Sequence, residues 1–545
     1  MDDDESGLLS RSSLALGVLG ASWLAFGVLL WMILVVEPVP VPLWLFLVGL
    51  ALSVLFGAGL LASRRWHTVW RYTFVPAVRV PVWVLLGGLS ATVGVVVVSL
   101  LRPVSPESVG WLFVLCTGAS YAVVTVTRWD EFFEDVSWPS WVLTAIAAVL
   151  VTMVVLSLVI GTRTFLAAVF LFSLLLFTFH VTFILPLALY QYVRGERAQE
   201  LSTYPEVSVL IPAYDEVEVI GDCIESVLTS TYPSEKLEVV VVDDGSTDGT
   251  YEAAAAYRDQ GVKVFHRDNG GKHAALNFGL QCSSSPVVAT IDADSRPDPT
   301  ALTKMVEQLW ADPTIGALSP VVLASNDDSF LTALQRIEYG ISNTNRRAYS
   351  LFEAVPVVPG CLGVYRREAL EDIWGYDPDT VTEDFDLTVK LLKNGWSVRH
   401  GRGVVRTIVP DGWRPLWRQR LRWYCGGLET FRKHRDVLLS PQYRYLHALS
   451  LPAYLVSHLF GPVGSFVILG AVVWGLLFNP TTYLLALVLL FAVMTGLVTL
   501  FSIALEDEPL RMLAYAPLFF VGYKHFIDYT VCAGTYRAFF REKQW

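Results

Sequence analysis

Val239-Val-Val-Val-Asp-Asp-Gly-Ser-Thr-Asp248 is a run of four valines that ends in two carboxylates and a glycine. A short β-branched run with no polar side, stopped by a turn signal, reads as a strand buried on both faces. The flanking sequence repeats the pattern. Val207-Ser-Val-Leu-Ile211 is a strand, and Glu216 to Thr229 follows with helical spacing at Val219, Ile220, Cys223 and Val227. Downstream come a helix from Asp248 to Tyr257, a strand Val262–Phe265, a helix opening at Lys272 and a strand Val287–Ile291. Strand and helix in strict alternation predict a parallel sheet with right-handed crossovers. Open sheets of this kind bind ligands beyond the carboxyl ends of their strands. The polar signals of this segment stand at those ends.

Farther out, the sequence changes character. Of 545 residues, 53% are hydrophobic and only 17% charged. Residues 14–36, 41–62, 80–101, 108–127, 140–161 and 164–192 are apolar runs near the roughly 20 residues that cross a bilayer. After residue 440, stretches 447–477 and 481–504 read the same way, with 512–534 a weaker candidate. The first run is long, lacks a basic start and is followed by more spans, so it reads as a span rather than a signal peptide. Arg64, Arg65, Arg71 and Arg79 follow the second run with no acid among them, which places that loop in the cytoplasm by the positive-inside rule. Alternation then delivers the segment after the sixth run to the cytoplasm. Lys524 and Asp528 lie one turn apart, and 512–534 is expected as a tilted or interfacial helix.

Residues 196–440 hold 36 acidic and 25 basic residues, which accounts for the whole net charge of −11. An acidic soluble segment argues against nucleic acid as a partner. Only 9 of the 40 basic residues are lysine. A halophilic microbe and ordinary drift both account for that composition. Six scattered cysteines, without a Cys-x-x-Cys pair, fit neither a usual zinc site nor a disulfide framework, and point to a reduced setting.

Each polar signal has a structural and a functional reading. In Ile211-Pro-Ala-Tyr-Asp-Glu216, the Tyr214 ring can lie against a base and Glu216 can cap a helix; Pro and Asp are also ordinary turn residues. Asp243 and Asp244 end a strand, where a carboxylate can accept hydrogen bonds from uracil or ribose. In Asn269-Gly-Gly-Lys-His273, Lys272 opens a helix whose N-terminus attracts anions. Asp292-Ala-Asp294 follows an apolar strand, and strand alternation points both carboxylates the same way. Such oxygens suit Mg²⁺ or Mn²⁺ shared with a substrate phosphate.

Three further stretches complete the set: Pro359-Gly-Cys361-Leu-Gly-Val-Tyr-Arg366, Thr382-Glu383-Asp384 and Gln419-Arg-Leu-Arg422-Trp423. With Asp292-Ala-Asp294 ahead of them, residues 205–440 resemble the GT-A domain of family 2 inverting glycosyltransferases. The flanking spans resemble the processive membrane branch, which makes cellulose, chitin, hyaluronan and poly-N-acetylglucosamine. The resemblance implies an α-helical multi-span membrane protein with an inserted cytosolic α/β GT-A domain. Residues 1–195 would form the N-terminal transmembrane region and 196–412 the catalytic domain. Residues 413–440 would form interfacial helices, and 441–545 the C-terminal transmembrane region. Six spans ahead of the domain exceed the two usual in short bacterial members.

By motif, Asp243 or Asp244 matches the uridine-binding carboxylate. Asp292 and Asp294 match the metal motif, and Asp384, beside Glu383, the general base. Gln419, Arg422 and Trp423 match the Q-x-x-R-W helix. Arg422 offers a forked donor to pyrophosphate, and Trp423 a flat face for an acceptor sugar. Trp413 and Trp417 read as interfacial anchors. Like-charge repulsion from Glu383 and Asp386 is expected to raise the carboxyl pKa of the base.

The Gly-Gly after Trp423 resembles poly-N-acetylglucosamine synthases, whereas the Cys361 segment is closer to the acceptor site of chitin and hyaluronan synthases. All three families use UDP-N-acetylglucosamine, the donor favoured here. The expected partners are a UDP-sugar, the nascent polysaccharide and the lipid bilayer of the plasma membrane. Competing readings are a hyaluronan- or cellulose-type synthase, a transferase that adds one sugar to a lipid carrier, and a transporter with a degenerate sugar-binding insert. The intact Asp294, Asp384 and Arg422 argue against the last.

Overall fold

The computed structural model describes residue 180 and residues 184–194, 200–326, 329–459, 461–462, 465–466, 469, 482–506 and 508–540. The first five apolar runs, most of 164–192, the arginines at 64, 65, 71 and 79, and residues 470–477 of the seventh run lie outside them. Two compact units divide the chain, one built from Met1–Val193 and Val456–His525, the other from Arg194–Leu455 and Phe526–Trp545.

The second unit is organised around one sheet of eight strands. They are β1 (Val207–Ala213), β2 (Leu237–Asp243), β3 (Lys263–His266), β4 (Val287–Thr290), β5 (Ser295–Pro297), β6 (Ile315–Ala324), β7 (Gly363–Arg366) and β8 (Ser397–Thr407). Their order is β3-β2-β1-β4-β7-β6-β8-β5. β3, β2, β1 and β4 run parallel, as the alternation predicts. β7 is antiparallel to both β4 and β6. The crossover helices are α1 (Ile220–Leu228), α2 (Thr250–Ala255) and α3 (Lys272–Gln281). α4 (Ala301–Ala311), α5 (Phe330–Ser350), α6 (Arg367–Asp372), α7 (Glu383–Lys393) and α8 (Trp413–Lys433) follow.

Strand pleating divides the core between the two faces. Val207, Val209, Ile211, Val239 and Val241 pack on one side with Ile220, Cys223 and Val227 of α1. Leu210, Val240 and Val242 pack on the other with Ala275 and Leu276 of α3. Each of these side chains is at most 3% exposed, and full burial of a valine or leucine stabilises by about 1.5–3 kcal/mol. The register aligns Ala213 with Asp243 and Asp243 with His266, so the polar ends of β1, β2 and β3 reach one edge together.

α1 starts at Ile220, four residues later than the periodicity suggests, because Glu216 and Val217 are held in a loop. Their N–H groups donate to Thr250 Oγ1 (2.7 Å) and to the Asp248 carboxylate (3.1 Å). Asp292 and Asp294 stand in the turn between β4 and β5 rather than on a strand.

Among the described residues, no helix is long and apolar enough to cross a membrane. Thr482–Leu505 forms a helix of 24 residues, but its side chains are described only in part, from residue 492 onward. The expected helix 512–534 is broken into a 3₁₀ stretch Leu510–Tyr515, a turn at Ala516–Leu518 and a wide turn at Phe519–Tyr523. Pro517, which lacks an N–H, sits in that break. The continuous helix is Lys524–Phe540.

Candidate active site

The carboxyl edge of the parallel strands gathers most of the polar signals. Asp243 ends β2 and Asp244 follows it; both are almost wholly buried. They are used differently. Asp244 accepts from the N–H groups of Gly270 (3.1 Å) and Gly271 (2.7 Å) and pairs with Arg267 (3.2 Å), so it braces the turn ahead of α3. Asp243 holds His266 Nδ1 at 2.5 Å through Oδ2, while its buried Oδ1 has no hydrogen-bond partner among the described residues. Gly245 between them and the next turn has φ +84°, and a Cβ there would meet the Asn269 nitrogen at 2.9 Å. The Tyr214 loop is tied to the Asp243 loop by two reciprocal bonds. Asp215 N–H donates to Ser246 Oγ and Thr247 N–H donates to Asp215 Oδ1, both at 2.9 Å. Tyr214 itself is half exposed beside them.

Lys272 opens α3 as the sequence suggests, and its ammonium lies between two carboxylates. Nζ is 2.5 Å from Asp292 Oδ1 and 2.9 Å from Glu383 Oε1. One cation thus joins the Asp292-Ala-Asp294 turn to the N-terminus of α7, and burial notwithstanding, the two anions hold the lysine well above its usual pKa. Asp294, behind Asp292, accepts from Ser295 Oγ at 3.0 Å. Burial first, and Asp292 second, raise its pKa. Glu216 is pushed up to about 7 by burial and then by Asp294 and Asp292. Burial and neighbouring carboxylates thus raise the proton affinity of Glu216 and Asp294, while Asp292 is paired with Lys272.

Lys272, Asp292, Gly360, Tyr376, Glu383 and Asp384 line one small pocket. Glu383 and Asp384 occupy the first turn of α7, where the helix dipole favours acids. Asp384 Oδ2 accepts from the Gly360 N–H at 3.2 Å and Oδ1 from the Phe385 N–H at 2.8 Å. Its pKa is raised to about 6, by burial first and by the Glu383 charge second. Glu383 goes the other way: burial opposes its ionisation, but Lys272 outweighs burial and lowers its pKa. Adjacent carboxylates driven apart in this way supply one group poised to exchange a proton near neutrality and one fixed anion. The like-charge argument from sequence therefore identifies a contributor, whereas burial is the main cause.

Asp386 takes no part in this. Its carboxylate accepts from Lys433 (2.9 Å) and lies 2.8 Å from His434 Nε2, both next to the end of α8. Asp377, Asp379 and Asp386 come close enough to share a cation, but Lys433 Nζ already contacts all three at 2.7–2.9 Å. This cluster clamps the segment leading into α7.

α8 lies against that same segment. A Cβ on Gly426 would meet Thr382 Oγ1 at 2.6 Å, and one on Gly427 would strike the Tyr454 hydroxyl. The glycine pair after Trp423 lets the helix approach the residue that precedes Glu383. Arg422 is exposed, and its charge helps to lower the Glu383 pKa. Trp423 is half-buried against the core, and Gln419 is half-buried on the preceding turn. Cys361 is buried in the core, where burial pushes its thiol pKa up. Trp413 and Trp417 pack edge-on against Phe526, at 4.9 and 6.1 Å between ring centres.

Two residues inside the quoted stretches, given no role by the sequence, also matter. Gly360 contributes its backbone to Asp384. Arg420, inside the Gln419–Trp423 stretch, is fully buried and forks onto Glu338 of α5. Removing one partner of so buried a pair costs about 3–5 kcal/mol. Only the spacing of Arg420 on the Trp423 side of α8 hints at this in the sequence.

If Asp384 is the proton acceptor, activity should fall as pH drops through about 6. The carboxylate takes a proton there and ceases to be a base. A profile of kcat/KM that stays flat down to about pH 5 would contradict that role.

Residues 208–374 match the family model described as Glycosyl transferase family 2. A poly-beta-1,6-N-acetyl-D-glucosamine synthase of Staphylococcus aureus (strain COL) is 29% identical over 281 residues, covering 49% of this chain and 66% of the relative. The enzyme of the same name from Staphylococcus epidermidis is 32% identical over 228 residues, covering 41% of this chain and 55% of the relative. The chain thus spans just under two thirds and just over half of these relatives. A solved mannosyltransferase from Pyrobaculum calidifontis aligns with TM-score 0.45 and 22% identity, over 68% of this chain and 98% of its own.

Proposed function

We propose that this chain, which carries a family 2 glycosyl transferase domain, is a processive inverting synthase. In this reading it transfers N-acetylglucosamine from UDP-N-acetylglucosamine to a growing polysaccharide. The observation that carries it is the meeting of Asp292, Lys272, Glu383 and Asp384 in one pocket at the carboxyl edge of the sheet. The sugar and its processive use rest on the likeness to poly-N-acetylglucosamine synthases along residues shared with them.

The uracil and ribose of the donor would lie between Tyr214 and the β2 end, where Asp243 Oδ1 is a buried acceptor in need of a donor. Asp294 and Asp292, with Glu216 beside them, would hold Mg²⁺ or Mn²⁺; their mutual repulsion fits a site for a divalent cation. Such an ion, when bound, offsets the charge of the departing diphosphate. Lys272 and the exposed Arg422 add positive charge on the same side, and Gln419 lies one turn from Arg422. Trp423 offers the acceptor sugar a flat face, next to the segment that contains Cys361. Asp384 then takes the proton of the acceptor hydroxyl as its oxygen bonds to C1 of the donor sugar. The bond from C1 to the diphosphate oxygen breaks, UDP leaves with the electron pair, and the configuration at C1 inverts.

The apolar runs on both sides of the domain would anchor it to the plasma membrane with its site in the cytoplasm. A polar polymer can cross the bilayer only where protein lines a wet path, so these runs would also form the exit. In sealed inside-out vesicles, UDP-N-acetylglucosamine added outside should give polymer that an added glycanase cannot reach. Polymer that stays on the substrate side, open to the enzyme, would remove secretion from this account and favour single-sugar transfer.

A further inference from the structure

We propose that Arg420 is a positioning residue that fixes the plane of the Trp423 ring, with Glu338 as its anchor. This rests on the reading of Trp423 as the acceptor platform. The Arg420 side chain is fully buried on α8. Its Nε and Nη2 reach Glu338 Oε1 and Oε2 at 3.2 and 2.7 Å, so both arms of the fork are held by one carboxylate of α5. With the guanidinium plane fixed, its central carbon lies 4.1 Å from the Trp423 ring centre. Residues three apart are neighbours on a helix surface, so the stacking needs no distortion of α8. Nη1 also donates to Gln419 Oε1. One planar cation therefore orders two side chains of the same motif and covers one face of the indole. Whatever sugar the ring receives must meet it away from that covered face.

A purely structural role would not call for this arrangement. A buried ion pair stabilises no better than apolar residues of similar size, whereas a fork on a carboxylate sets an angle that a lysine ammonium cannot. The inference is thus that the charged pair serves ring orientation.

The test uses the full chain with UDP-N-acetylglucosamine, Mn²⁺ and a short N-acetylglucosamine oligomer as acceptor. Arg420→Lys should raise the acceptor KM about tenfold or more and shorten the product. Donor KM and acceptor-free hydrolysis of the donor to UDP should change by no more than about threefold. Should that variant fail to fold, Arg420→Met combined with Glu338→Leu removes both charges together and should fold, with the same acceptor defect. A variant with wild-type acceptor KM and product length overturns the inference, as does one in which acceptor KM, donor KM and hydrolysis worsen in step. Failure of the wild type itself to use this donor would instead sink the proposed function.

Discussion

Asp384→Asn should leave binding of UDP intact and reduce sugar transfer by about 10²–10⁴-fold, the usual contribution of a positioned base. The substitution keeps the shape and one of the two backbone hydrogen bonds that the carboxylate accepts, from Gly360 or Phe385, since an amide nitrogen cannot accept the other; it removes the proton-accepting charge. It also removes a buried charge and its repulsion with Glu383, which offsets the lost hydrogen bond, so thermal stability should change little. The effect belongs in kcat, not in donor affinity. Residual turnover above about a tenth of wild type would mean that another group takes the proton, with Glu383 the first suspect. Its lowered pKa makes it the poorer base.

Asp294→Ala should abolish turnover, and EDTA should do the same to the wild type, with Mg²⁺ or Mn²⁺ restoring the chelated enzyme. Asp294 is buried among carboxylates that destabilise its charge, so its loss should cost little stability beyond its bonds to Ser295 and Thr407. The loss of activity would then be chemical rather than structural. Binding of Mn²⁺ in the presence of UDP, followed by calorimetry, should disappear in the variant. Full turnover in EDTA would remove the cation from the account and leave the countercharge for the diphosphate to side chains such as Lys272 and Arg422.

The half of the sheet built from β1 to β4 was legible because β1, β2 and β4 are largely valine, leucine and isoleucine between turn signals, and the short β3 follows in the same alternation. The other half was not. β8 carries Arg399, His400, Arg402 and Arg406 within eleven residues, a pattern that reads as surface. Its arginines are taken up by distant acids: Arg399 by Asp312 and Glu353, Arg406 by Asp298. β6 includes Pro320, which periodicity counts against a strand, and the sheet absorbs it at a shift of register between Ser319 and Val321.

The site followed the same division. Motif residues at strand ends and helix starts were visible, since alternation and the parallel sheet dictate where such ends lie. The link between Lys272 and Glu383 was not, because those residues stand 111 positions apart in sequence and only the fold joins them. The opposite titration of Glu383 and Asp384 likewise depends on that lysine and on burial, neither of which the pair of letters reveals.

The most direct test is to incubate the purified chain with single labelled UDP-sugars and Mg²⁺ or Mn²⁺, under a large excess of acceptor, and to size the product. This account predicts incorporation from UDP-N-acetylglucosamine alone, into long chains while most acceptor remains unextended. Acceptors that each gain one sugar, or no incorporation from UDP-N-acetylglucosamine while another UDP-sugar is consumed, would contradict it.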